Sequence, residues 1–199
     1  MNHYIAFLRG MNLGKRRIKM EELRGQFERM KFGHVTTFIA SGNVIFESRM
    51  DDAAEIELFV ERQLKRALGY QVDTFVRTRA EIAALASAQP FSKALMEDEG
   101  ITVNVGLFKE SLNAEMGTKL GQIRTDVDEF HVTGREYYWL CRIKISDSEV
   151  WRLPEARALK LPTTTLRNLK TLRALAELYP PSQPDSAISR AVKTGRNPR

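Results

Sequence analysis

The apolar residues of the first 78 positions change their spacing in a set order, and that order limits the fold more than any other feature. Tyr4-Ile5-Ala6-Phe7-Leu8 is apolar throughout, as expected of a strand covered on both faces. Met20, Leu23, Phe27 and Met30 recur at helical spacing, with Gly33 suited to the position past the helix end. Residues 35–40 and 44–46 read as strands flanking Ser41-Gly42-Asn43, a tight hairpin turn. Asp51 or Asp52 can cap a second helix that turns Ile56, Val60 and Leu64 inward and ends at Gly69. A strand over 72–77 completes strand, helix, strand, strand, helix, strand. That is the split βαβ, ferredoxin-like order.

The rest of the chain is a looser echo. Thr78 and Glu81 form a capping-box pair opening a short helix that Pro90 stops, and 91–100 reads as a loop. Ile101, Val103, Val105 and Leu107 alternate as a strand should. A weaker helix over 112–123 precedes a hairpin of 127–132 with 136–143 across Thr133-Gly134-Arg135. A short helix around 150–159 and a last one from about 168 to 179 follow. The expected class is α+β: two ferredoxin-like antiparallel sheet-plus-helix subdomains, 1–78 and 79–179, without a detectable sequence repeat. Pro180, Pro181 and Pro184 end the fold, and 180–199 reads as a basic, disordered tail.

Charge narrows the choice of partner. The chain of 199 residues carries a formal net charge of +6. Residues 9–19 hold five basic side chains and no acidic one, and 180–199 hold four against Asp185. The remainder, 22 basic against 24 acidic, is slightly negative. Such localised charge argues against a duplex-DNA face and for a small anionic ligand or a short nucleic-acid segment. No apolar run is long enough to span a membrane, and no secretory signal is read at the N-terminus. Cys141 is alone, which rules out an internal disulfide and a multi-cysteine metal site, so a cytoplasmic setting is expected.

The basic loop is the candidate binding element. In Arg9-Gly10-Met11-Asn12-Leu13-Gly14-Lys15 the two glycines allow close backbone approach, so that successive N–H groups can face one anion. A helix starting near Met20 would add its own N–H groups, although Glu21 and Glu22 in its first turn compete for that role. The split βαβ order makes the first and second strands parallel, which brings loop 9–19 beside turn 41–43. Ser41 and Asn43 would then supply hydroxyl and amide groups. Arg167 and Lys170, flanking a helix start that Asn168 can cap, are a second possible anion contact. The loop fits neither a Walker A pattern nor G-x-G-x-x-G. His3, His34 and His131 lack metal-ligand spacing, and no nucleophile elbow is present. The carboxylates at 97–99 and at 126, 128 and 129 read as solvated. No acid–base pair, metal or cofactor follows.

Taken together, residues 4–14, Ile18-Lys19-Met20-Glu21-Glu22-Leu23 and Ser41-Gly42-Asn43-Val44-Ile45-Phe46-Glu47-Ser48 resemble the signature of DUF1697, a mainly bacterial family without an established activity. Arg167-Asn168 with Thr171 is similar to its C-terminal Arg-Asn-x-x-Thr motif. Lys15 stands where many members carry glycine, and Leu169 where Trp is usual. The resemblance implies two ferredoxin-like subdomains and matches polar positions Arg9, Asn12, Ser41, Asn43, Arg167, Asn168 and Thr171. The expected function is binding of a small, phosphate-bearing anion at the edge of loop 9–19 and turn 41–43, through Arg9, Gly10, Asn12, Gly14, Lys15, Ser41 and Asn43, with Arg167, Asn168 and Thr171 closing it. Alternatives are a nucleic-acid accessory that uses loop and tail, and an interaction module with its surface at Tyr137, Tyr138 and Trp139.

Overall fold

The computed structural model describes residues 1–11, 18–39 and 42–181. Asn12, Gly14, Lys15, Ser41 and the tail from 182 lie outside the described residues. The first half runs β1 (Asn2–Arg9), α1 (Met20–Arg29), β2 (Gly33–Phe38), β3 (Asn43–Ser48), α2 (Ala53–Leu68), β4 (Asp73–Thr78) and α3 (Arg79–Ser87). A short helix, α4 (Lys93–Glu97), lies in the stretch expected to be loop. The second half runs β5 (Thr102–Leu107), α5 (Ala114–Gln122), β6 (Asp128–Thr133), β7 (Glu136–Cys141), α6 (Pro154–Ala158), β8 (Thr165–Asn168) and α7 (Leu169–Leu178). The helix expected over 150–159 is divided into a 3-10 turn at Val150–Arg152 and α6, because Pro154 fits a first helical turn and not a helix interior.

The two sheets have the same strand order, β2-β3-β1-β4 and β6-β7-β5-β8, with each neighbouring pair antiparallel. Both are ferredoxin-like, and the fold is α+β. Since β1 and β2 both run against β3, they run parallel to one another, as the sequence order requires.

Strand alternation sets three core layers. Tyr4, Ala6 and Leu8 face α1 and α2, packing with Leu23, Phe27, Ile56, Val60 and Leu64. Ile5 and Phe7 face the other way, into a core shared with Val105, Leu107, Tyr138 and Leu140 of the second sheet and with Ile82, Leu172 and Leu175 of α3 and α7. The continuous apolar run of β1 is thus explained: its second face is covered by the other half. Tyr137, Trp139 and Cys141 point to a third layer with Leu120, Val150 and Leu159.

Local signals fix the element ends. Asp52 caps α2 by accepting from Ala54 N–H at 2.7 Å, and Thr78 and Glu81 make the reciprocal capping box of α3. Gly33 opens β2 instead of following α1, whose end is turned by Lys31 at φ 66°. The edge strand β4 is protected by α2: Glu61 accepts from Thr74 N–H at 2.8 Å and Glu57 from Val76 N–H at 2.7 Å. Carboxylates one helical turn apart therefore satisfy alternate donors of an otherwise open strand edge. Burial raises Glu57 above the usual carboxylate value, against the lowering effect of the Val76 N–H.

Candidate functional site

The exit of β1 and the turn entering β3 are direct neighbours. Leu8 N–H donates to the Gly42 carbonyl at 2.8 Å. Gly10 and Gly42 both sit at positive φ, 81° and 72°, which side-chain-bearing residues resist. A Cβ on Gly42 would stand 2.6 Å from Met11 Cε and 3.3 Å from the Leu8 carbonyl, so this close approach needs glycine. Arg9 is exposed and pairs with Asp73 at 3.1 Å. The expected juxtaposition of loop and turn therefore holds for the described residues.

Arg167 joins the same edge from the second half, in a role the sequence did not suggest. Its side chain is an inner strut. Nε donates to Asn43 Oδ1 at 2.7 Å, Nη2 to the Leu8 carbonyl at 3.0 Å and Nη1 to the Leu166 carbonyl at 2.9 Å. The guanidinium also lies 5.4 Å from the centre of the Phe7 ring. Burial pulls its pKa down to about 10, which leaves it a cation at neutral pH. One arginine thus ties together segments that lie far apart in the sequence. Asn168 is the N-cap of α7, accepting from Lys170 N–H at 2.8 Å, and Thr171 is half-buried in the same first turn.

A counterpart of this edge exists at the other end of the molecule. Phe108 N–H donates to the Arg135 carbonyl at 2.9 Å, as Leu8 N–H does to Gly42. Arg77 on β4 donates from Nε to Glu136 at 2.9 Å, from Nη2 to the Phe108 carbonyl at 2.6 Å and from Nη1 to the Val76 carbonyl at 2.9 Å. Leu8 answers to Phe108, Gly42 to Arg135, Asn43 to Glu136, Arg77 to Arg167, Thr78 to Asn168 and Glu81 to Thr171. The strand registers agree: Phe7 pairs Asn43 as Leu107 pairs Glu136, and Ile5 pairs Arg77 as Val105 pairs Arg167. Each half extends one arginine into the other, reciprocally, as at an isologous interface. Arg77 does not stand out in the sequence, although Arg77-Thr78-x-x-Glu81 and Arg167-Asn168-x-x-Thr171 open equivalent helices at the same spacing.

The two ends differ in charge. At the counterpart, Arg77 pairs with Glu136 and Arg135 with Glu81. Burial alone would raise Glu81, but hydrogen bonds from Thr78 and Arg135 hold it below the usual range. At the motif edge the same four positions read Arg167, Asn43, Gly42 and Thr171, with one cation and no carboxylate.

Other expected sites are excluded by burial. Tyr137, Tyr138 and Trp139 are each at most 2% exposed, so the interaction surface expected there does not exist. Asp128, expected to be solvated, is buried and accepts from Trp139 Nε1 at 2.7 Å and from Ser148 Oγ. Cys141 is a packed thiol that burial pushes up in pKa, not a nucleophile. Among the described residues no His, Cys, Asp and Glu cluster could hold a metal, and no helix is long and apolar enough to cross a membrane. A cavity of about 650 Å³ lies between α5 and α6, lined by Met116, Ile123 and Leu159 with Glu115, Lys119 and Glu155. None of its lining residues belongs to the motif edge.

Fold and edge together define a class: a duplicated ferredoxin-like α+β protein whose halves exchange arginine struts. The chain belongs to the DUF1697 family, proteins of unknown function, which it matches over residues 1–138. Among solved structures it is similar to the conserved bacterial protein SP0830 from Streptococcus pneumoniae, with a TM-score of 0.67 and 18% identity over 89% of this chain and 98% of that one. That likeness concerns the fold. No match to a curated protein is found.

Proposed function

We propose that the chain binds a small anionic ligand, with a phosphate group the leading candidate, at the edge formed by loop 9–19 and turn 41–43. The observation that carries this reading is the Arg167 strut. A buried guanidinium fixes the β1 exit and the β3 entry side by side, at an edge where the neutral Asn43 and Thr171 stand in the places of Glu136 and Glu81 and where Arg9 is exposed beside Asp73. Arg9 supplies an accessible cation, Gly10 and Gly42 bring backbone close to the ligand, and Asn43 keeps the turn in register through its Nδ2 bond to the Phe38 carbonyl. Arg167 acts by positioning that edge and by its field, because its N–H groups are engaged inside the protein. The same reading sets the protein in the bacterial cytoplasm, in keeping with its one buried thiol.

The test is a thermal-shift and calorimetric titration with inorganic phosphate. Arg9→Ala should weaken binding while leaving the unliganded melting temperature nearly unchanged, because an exposed pair contributes only about 0–1 kcal/mol. A large loss of unliganded stability would make Arg9 structural and remove it from the site.

A further inference from the structure

We propose that the C-terminal segment 182–199 docks in the groove between α5 and α6. The cavity of about 650 Å³ there adjoins a second of about 430 Å³, and Asn113 and Met116 line both. The floor is apolar, with Met116, Ile123, Ala158 and Leu159, and its size is that of an ordinary binding cleft. The chain leaves the fold nearby. Tyr179, just past α7, has its ring centre 5.7 Å from the Arg79 guanidinium at the start of α3. Glu81, in the same helical turn as Arg79, holds Arg135, whose Nη1 donates to the Lys109 carbonyl at 3.3 Å. Lys109 lines the second cavity, with Pro162 and Thr163 ahead of β8. Each step of that path is a side-chain contact. An extended chain spans ~3.3–3.6 Å per residue, so Ile188 can stand about 20 Å from Pro181.

The tail and the groove are also complementary in chemistry. Ala187, Ile188, Ala191 and Val192 gather the tail's aliphatic side chains at a spacing that suits one side of a helical turn. Arg190, Lys193, Arg196 and Arg199 outnumber Asp185 around them. At the groove, Lys109 is engaged by Glu61, Lys119 by Glu115 and Arg124 by Glu129. Glu110 and Glu155 line the same cavities and pair with no cation among the described residues. The unbalanced charge of the groove is therefore negative and that of the tail positive. Docked there, the aliphatic side chains cover the apolar floor while the tail's cations meet Glu110 and Glu155. This docking is independent of anion binding at the motif edge.

The test is paramagnetic broadening of amide NMR signals in the full chain, with a nitroxide on Ser189→Cys; Cys141 is buried and escapes the label. Signals of Met116, Ile123 and Ala158 should be lost, and those of Gly10, Gly42 and Asn43 at the opposite end kept. Ile188→Asp with Val192→Asp should restore the lost signals, and so should Glu110→Arg with Glu155→Arg, two exposed positions whose exchange leaves the core intact. Adding Arg190→Glu and Lys193→Glu to the latter pair should bring the broadening back, which separates docking from damage to the groove. The proposal is wrong if the label broadens neither α5 nor α6, if it broadens exposed amides everywhere alike, if the apolar or charge variants leave the effect intact, or if the charge swap brings nothing back. Broadening that arises only from spin-labelled neighbours in a mixed sample, and fades on dilution, would place a second copy's tail in the groove and equally overturn it.

Discussion

Arg77 is fully buried, and its partner Glu136 is nearly so. Desolvation, then the nearby Arg135, lowers the Arg77 pKa, and Glu136 offsets this. Removing one member of such a pair strands the other. Arg77→Ala is therefore expected to cost about 3–5 kcal/mol in urea unfolding, whereas joint replacement of Arg77 and Glu136 by apolar residues of similar volume should recover most of that loss. If the double variant were as unstable as the single one, packing and the carbonyl acceptors at Phe108 and Arg135 would outweigh the ion pair. Arg167 has an amide in the equivalent place.

At the scale of elements, the α3 capping box gives a pH dependence. Glu81 has a folded-state pKa below its usual 4.5, so between the two values the unfolded chain binds more protons. Its stabilising contribution is complete above the usual value and is lost as pH falls through the lowered one. Glu81→Gln should lower stability at neutral and alkaline pH, where that contribution is complete, and change it least in acid, so that the acid limb of a stability-versus-pH curve flattens; an unchanged acid limb would contradict this. That box was readable in the sequence because both partners lie within one turn. The Asp52 cap and the β1 run were readable for similar reasons. In contrast, β8 was not: Thr165-Leu166-Arg167-Asn168 is mostly polar and becomes a strand only by pairing with β5. Asp128 looked solvated because its donors, Trp139 and Ser148, arrive from elsewhere in the chain. Loop and turn could be placed together from strand direction alone. The arginine that holds them could not, since its acceptors are 124 and 159 residues away.

Across the whole molecule, the middle core draws Ile5, Phe7, Ile45 and Phe75 from one sheet and Val105, Leu107, Tyr138 and Leu140 from the other. Neither half can keep this face dry alone. A fragment ending after α3 should expose it, bind a hydrophobic dye and lack a cooperative melt, whereas the full chain should unfold in one transition. Two separate calorimetric transitions would show that each sheet is stable with its own outer helices. Anion binding at the edge of loop 9–19 and turn 41–43, proposed above, is tested most directly by amide NMR during titration with inorganic phosphate. Phosphate should shift Gly10, Gly42 and Asn168 with little change at Phe108, Arg135 and Thr78. Equal shifts at both ends, or none at Gly10 and Gly42, would contradict it.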